Sequence, residues 1–256
     1  MIEILSPAEF PRARATGALV ARILQTMKQR AVAGTNLLEI DRWTREMIEE
    51  AGAVSCYVDY APSFGDGPFG HHICTSVNDA VLHGKPRDYR LAAGDLLTLD
   101  LAVSLDGIVA DSAISFVVGG GGSAQDLDMI ETTQRALAAG IEAARPGAKV
   151  GDISHAIGQV LRGAGYPVNM DFGGHGVGST MHQDPHISND GRPGRGYTLR
   201  PGLLLAIEPW IMADTDELVT DTDGWTLLSA TGARTAHSEH TVLITEDGAE
   251  VLTRAE

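Results

Sequence analysis

The stretch LLTLDLAVSLDGIVADSAISFVV, residues 96–118, places two apolar, β-branched runs on either side of Asp106-Gly107. Asp-Gly between such runs signals a two-residue hairpin turn, whose central positions need positive φ. With Leu105 facing Ile108, partner numbers sum to 213 and Asp111 lies opposite Ala102. Asp100 is then a diagonal neighbour of Asp111 on the same face, roughly 7–8 Å away at the backbone. Two anions so placed on largely apolar strands are costly unless a cation sits between them. Taken alone, the hairpin also fits a solvent-facing edge with scattered acids.

Two further acids favour the cation. Glu208 ends the apolar run LLLAIEPW (203–210), and Glu239 interrupts TAHSEHTVLIT (235–245). Four carboxylates within strand-like text point to divalent metal binding, and oxygen ligands with one or two imidazoles suit Mn, Fe, Co or Zn. The imidazole candidates are His83, His175 and His182. The last two stand in DFGGHGVGSTMHQDPH (171–186), where glycines predict close backbone approach and a non-repetitive path. Cys74 reads as a small buried pocket residue rather than a nucleophile. There is no nucleophile elbow and no HExxH, the glycines at 119–122 lack the Lys-Ser/Thr of a phosphate loop, and no Gly-x-Gly-x-x-Gly opens a helix after a strand.

Outward from these strands the chain reads as α+β. A capping-box pattern, Ser6-Pro7-Ala8-Glu9, predicts a short helix. Leu19, Val20, Ile23, Leu24 and Met27, then Leu37, Ile40, Trp43, Met47 and Ile48, form the apolar stripes of two longer helices. Sheet follows over about 75–118, helices over about 125–144 and 150–163, and strand-like text over 203–252. The helix, helix, sheet order thus occurs twice. Ala33-Gly34, Ile40 and Ala51-Gly52 match Pro146-Gly147, Ile153 and Ala164-Gly165 at an offset of 113, and the run 94–100 resembles 202–208 at 108. One domain over 1–256 is expected, with pseudo-symmetric αβ halves at about 14–120 and 125–256 around a central antiparallel sheet.

Composition bounds the partners. The chain has 256 residues, 43% of them hydrophobic, and 19 Lys+Arg against 34 Asp+Glu give a formal charge of −15. That balance repels phosphate backbones and anionic surfaces, so neither nucleic acid nor membrane is an expected partner. The N-terminal text lacks a signal-peptide pattern, and two cysteines fit a reducing compartment, so a cytoplasmic location is expected; pairing of Cys56 with Cys74 is the alternative.

Together CTSVNDAVLHG (74–84), GDLLTLDLAVSLDGIVADS (94–112), GGHGVGSTMHQDP (173–185), AIEPW (206–210) and SEHTVLIT (238–245) resemble the type I methionine aminopeptidases, of the pita-bread (creatinase/aminopeptidase) fold. The resemblance implies that Asp100, Asp111, His175, Glu208 and Glu239 ligate two divalent ions (Co, Mn, Fe or Zn), with Asp111 and Glu239 bridging. It implies catalytic and substrate contacts for His83 and His182, and a proton-transfer role for Glu208. Phe69, Cys74, Met181 and Trp225 are expected to wall a pocket for a thioether side chain, although Met181 and Trp225 also read as ordinary core. The implied activity is removal of initiator methionine from nascent peptide N-termini, with a small second residue preferred, by a monomer.

Two other readings stand beside it: an Xaa-Pro-type peptidase of the same fold, and a catalytically silent binding module. The short text before the first ligand strand leaves no room for the extra N-terminal domain of the Xaa-Pro enzymes, and the 26-residue interval from His182 to Glu208 lacks a type II insertion. The intact ligand positions disfavour a silent module. Departures from the family concern specificity: PSFGDGPFGHHIC (62–74) replaces the usual segment before the pocket cysteine, Met181 stands where Phe is common, and His237 and Ser238 replace an amide and an aromatic.

Overall fold

Helix α2 (Leu37–Glu50) begins where Asn36 accepts from Leu38 N and Glu39 returns a carboxylate to Asn36 N, two of the backbone donors that a helix start leaves open. It follows α1 (Phe10–Arg30), whose expected stripe is fully buried. In this computed structural model, which describes residues 2–63 and 65–255, no separate helix forms at Ser6. Instead Glu9 Oε2 accepts from Ser6 N and Oγ, both at 2.9 Å, in a turn that feeds directly into α1. The pairing is as expected, but Pro11 already opens the long helix two residues after Glu9, so the turn has nowhere to propagate.

Strands β1 (Val54–Ser55), β2 (Cys74–Val77), β3 (Ala80–Leu82), β4 (Leu96–Leu105) and β5 (Ile108–Val117) complete the first half. The hairpin register is the expected one, Leu105↔Ile108 and Ala102↔Asp111, around a turn with φ +50° at Asp106 and +77° at Gly107. The stripes of α1 and α2 pack against Leu97, Leu99, Leu101 and Val103. Gly17 lets α1 lie close to the C-terminal segment: a Cβ there would stand 2.4 Å from Leu252 O. Gly17→Ala is therefore expected to destabilise the fold by about 2 kcal/mol, read as a lowered urea midpoint at unchanged m-value.

The second half repeats the plan with α3 (Ala124–Ala143) and α4 (Val150–Gly163). Its strands are β6 (Gly173–Val177), β7 (Gln183–Ser188), β8 (Leu204–Ile207), β9 (Trp210–Met212), β10 (Leu218–Thr220), β11 (Leu227–Ser229), β12 (Thr235–His237), β13 (His240–Thr245) and β14 (Gly248–Val251). Corresponding bonds recur: Gly34 N donates to Leu91 O and Gly147 N to Leu199 O, while isolated bridges join Asn36 to Arg90 and Lys149 to Thr198. The glycine-rich segment corrects the expectation of a non-repetitive path, because β6 and β7 are strands of the antiparallel sheet β14-β13-β8-β6-β7. Glycine lowers strand propensity in a sequence reading, yet here it is what permits pairing on both sides. A Cβ on Gly174 would stand 2.4 Å from Ala206 O, and one on Gly176 2.1 Å from Asp184 O.

Rather than one continuous ladder, two main sheets meet along β5 through single bonds. Val109 N donates to Gly178 O at 2.8 Å and Glu239 N to Ala113 O at 3.0 Å. Asp111 N donates to Thr241 Oγ1 at 2.8 Å, and Ser112 Oγ to Glu239 O at 2.6 Å. These bonds carry Glu239 onto the face that presents Asp111. Both cysteines are free. Among the described residues no helix is long and apolar enough to cross a membrane.

Candidate metal centre

Every site residue expected from the sequence lines one inner cavity of about 40 Å³, between the two sheets. Asp100 and Asp111 come from β4 and β5, His175 from β6, Glu208 from the break after β8, and Glu239 from the link between β12 and β13. His83 follows β3 with a left-handed backbone, φ +55°, a conformation a non-glycine residue holds only against a cost of about 1 kcal/mol. His182 precedes β7.

Asp111, His175 and Glu239 each offer a ligand atom within 4.8 Å of the others, and all three are buried. Burial raises the Asp111 carboxyl well above the usual range, with neighbouring Asp100 adding to it. Glu239 and Glu208 are raised for the same two reasons, desolvation and nearby carboxylates. Asp100 moves only to about 6, because a hydrogen bond from Tyr57 offsets part of its desolvation. Desolvation also pushes the histidines down, to about 3 for His175 and about 4 for His83 and His182. The centre thus gathers carboxylates and neutral imidazoles with no internal cation to balance them.

The donor set fits divalent metal. His175 Nδ1 is 3.1 Å from Gly176 O, which assigns the ring proton to Nδ1 and leaves a lone pair on Nε2. That lone pair stands 3.6 Å from Glu208 Oε1 and 4.0 Å from Asp111 Oδ2. A neutral imidazole forms no ion pair there, and the separations are too long for hydrogen bonds, so lone pairs converge as they would around cations. Asp100, Asp111, His175, Glu208 and Glu239 would hold the ions.

Two tyrosines went unrecognised in the sequence. Tyr57 Oη donates to Asp100 Oδ1 at 2.6 Å and lies 3.4 Å from Asp111 Oδ1, while Tyr60 Oη is 2.6 Å from His182 Nδ1. Both belong to the irregular segment before β2, where no periodicity marks them; only their proximity to Cys74 in sequence could have drawn attention. Tyr57→Phe removes the donor that orients Asp100, and about tenfold weaker metal affinity is expected, measured by calorimetric titration of the chelator-stripped protein.

Phe69, Cys74, Met181 and Trp225 form one buried cluster with Tyr57, Ala102 and Val109, making an apolar and sulfur-bearing wall. Phe69 and Trp225 meet edge to face at 5.2 Å. Within the departing segment 62–73, Phe64 lies outside the described residues. Desolvation first, then Asp100, raises the Cys74 thiol well above its ordinary value, which rules against a thiolate nucleophile. His237 is buried with Nε2 3.9 Å from Glu208 Oε2, and neither ring nitrogen has a hydrogen-bond partner among the described residues.

A wider outer cleft of about 460 Å³ adjoins the inner cavity and is lined by Asp171, Phe172 and His186, among others. Tyr60, His83, His175, His182 and Glu208 border both spaces. A ligand with one short apolar group inside and an extended remainder outside would pass between the histidines and the carboxylates.

Comparison with known proteins places this arrangement. The model of metallopeptidase family M24 matches residues 12–246. A methionine aminopeptidase of Aquifex aeolicus is 36% identical over 255 residues, covering 98% of each chain. Methionine aminopeptidase 1 of Mycobacterium tuberculosis is 38% identical, covering 97% of this chain and 93% of its own. The crystal structure of the Thermotoga maritima methionine aminopeptidase superimposes with a TM-score of 0.94 at 34% identity over the full length of both chains. A prolidase of Pyrococcus furiosus, at 22% identity and a TM-score of 0.77, shares the pita-bread fold. From matching sequence, fold and length, the chain belongs to metallopeptidase family M24.

Proposed function

We propose that the protein is a dimetal methionine aminopeptidase that removes initiator methionine from nascent peptides in the cytoplasm, with a small second residue preferred. The observation that carries this reading is the cavity in which five metal-type ligands, two further histidines and an apolar, sulfur-bearing wall adjoin an open cleft. Substrate methionine fits the inner wall formed by Phe69, Cys74, Met181 and Trp225, while the downstream chain leaves through the outer cleft. The whole chain acts as one catalytic domain of two related halves, as a monomer, with neither nucleic acid nor membrane as partner.

Held by Asp100, Asp111, His175, Glu208 and Glu239, divalent ions would supply a water whose pKa is lowered toward neutrality. Glu208, whose carboxylate would be deprotonated where it holds metal, accepts a proton and passes it to the leaving amine. His182, neutral in its apolar surroundings, donates to the carbonyl oxygen as negative charge develops there. His83, held by its left-handed backbone at the edge of both spaces, hydrogen-bonds beside the scissile amide.

The test is hydrolysis of Met-Ala-Ser, Leu-Ala-Ser and Ala-Pro-Ala by chelator-stripped protein with Mn, Co, Fe or Zn restored. Metal-dependent release of methionine alone is expected. Cleavage of Ala-Pro-Ala instead would keep the chemistry and overturn the specificity.

A further inference from the structure

The tyrosine on His182 has no place in the chemistry above. Its phenol oxygen stands 2.6 Å from Nδ1, below the usual 2.7–3.2 Å of an N–H···O bond but ordinary for a hydroxyl donor. At that separation the phenol hydroxyl is the donor and the imidazole nitrogen the acceptor. A neutral imidazole has one acceptor nitrogen, and occupying it assigns the proton to the other.

The support for Tyr60 is equally fixed. Tyr60 N donates to Tyr57 O and Phe69 N to Tyr60 O, both at 3.0 Å, which ties the segment to itself. The Tyr60 ring lies 5.2 Å from the His182 ring and 6.3 Å from that of Trp225. His182 also meets His175 edge to face at 4.3 Å. The imidazole thus contacts two rings, and one hydroxyl decides which nitrogen carries hydrogen.

We propose that Tyr60 is a positioning residue, holding His182 in the Nε2–H tautomer so that the nitrogen not taken by the phenol is a donor toward the substrate carbonyl. This rests on the aminopeptidase reading for its consequence, though not for the hydrogen bond itself. An imidazole with its proton on Nδ1 would turn a lone pair toward the oxygen where negative charge develops, and would oppose the reaction.

Two measurements on the full chain test it. In ¹⁵N–¹H correlation spectra of the metal-free protein, with the His182 ring assigned by its loss in His182→Gln, the wild type is expected to show the Nε2–H tautomer and Tyr60→Phe a mixture of both. With Met-Ala-Ser and restored metal, Tyr60→Phe is expected to lower kcat roughly tenfold with KM within about twofold, a fraction of the 10²–10⁴-fold value of a positioned acid–base group. Added to His182→Gln, the same change should have no further effect on kcat. Tyr60 is half-buried and loses only an oxygen, so the variant keeps the fold. An Nδ1–H tautomer in the wild type, or an unchanged kcat and tautomer in Tyr60→Phe, overturns the proposal. A wild type that releases no methionine with any metal defeats the aminopeptidase reading, while the spectra still decide whether Tyr60 sets the tautomer.

Discussion

Asp111→Asn is expected to lower metal-dependent methionine release by on the order of 10³-fold or more and to reduce bound metal below two ions per chain. The substitution keeps shape and the acceptor oxygen near Tyr57, and it removes the negative charge that the side chain would bring to bound metal. It costs the metal-free fold little. Burial and Asp100 already hold the Asp111 carboxyl well above its ordinary range, which favours the neutral form that the amide mimics. The metal-free melting temperature of the variant should therefore not fall, while the metal-induced rise in melting temperature shrinks. Activity staircases of this kind separate a ligand from a core residue, whose loss would lower stability with and without metal alike. Two ions per chain and a wild-type rate in Asp111→Asn would remove Asp111 from the ligand set.

How much of this site the sequence discloses depends on how local its cause is. The hairpin register follows from Asp106-Gly107, because turn chemistry acts over four residues, and it alone brings Asp100 and Asp111 to one face. Glu208 and Glu239 are visible because charge inside an apolar run needs a compensating cation wherever the run folds. The β6 and β7 strands are hidden, since a glycine's contribution there is the space it leaves for Ala206 O and Asp184 O, and those neighbours are distant in sequence. Tyr57 and Tyr60 are hidden for a related reason. Each acts through a single hydroxyl across 43 or more residues of separation, from a segment with no period to place it on a face. The Ser6–Glu9 pair shows the opposite failure, a correct local bond whose larger consequence was overridden by the proline that starts α1.

Without metal, the melting temperature is expected to fall as pH rises past the ordinary histidine value of about 6.5, and with saturating Mn²⁺ that dependence should disappear. The carboxyls of Asp111, Glu208 and Glu239 are raised well above their ordinary values, chiefly by desolvation. An acid with a folded pKa above its unfolded one retains its proton in the native state after the unfolded chain has released it. Stability is then lost as pH rises from the unfolded value toward the folded one. Asp100, raised to about 6, has completed its loss before this window opens. The buried histidines, lowered to about 3 or 4, act in the other sense, destabilising the fold as pH drops below about 6.5. Above that value the raised carboxyls therefore act without opposition from the histidines. Each proton still held costs about 1.4 kcal/mol per pH unit, or about 4 °C in a chain of this size. Bound cations replace those protons and make folded and unfolded chains alike in proton content, which flattens the curve. The stabilisation by Mn²⁺ should accordingly widen with pH, a signature that scanning calorimetry of paired stripped and loaded samples reads directly. A metal-free melting temperature that stays level or climbs over this window would mean that Asp111, Glu208 and Glu239 are not the proton-holding cluster their burial makes them.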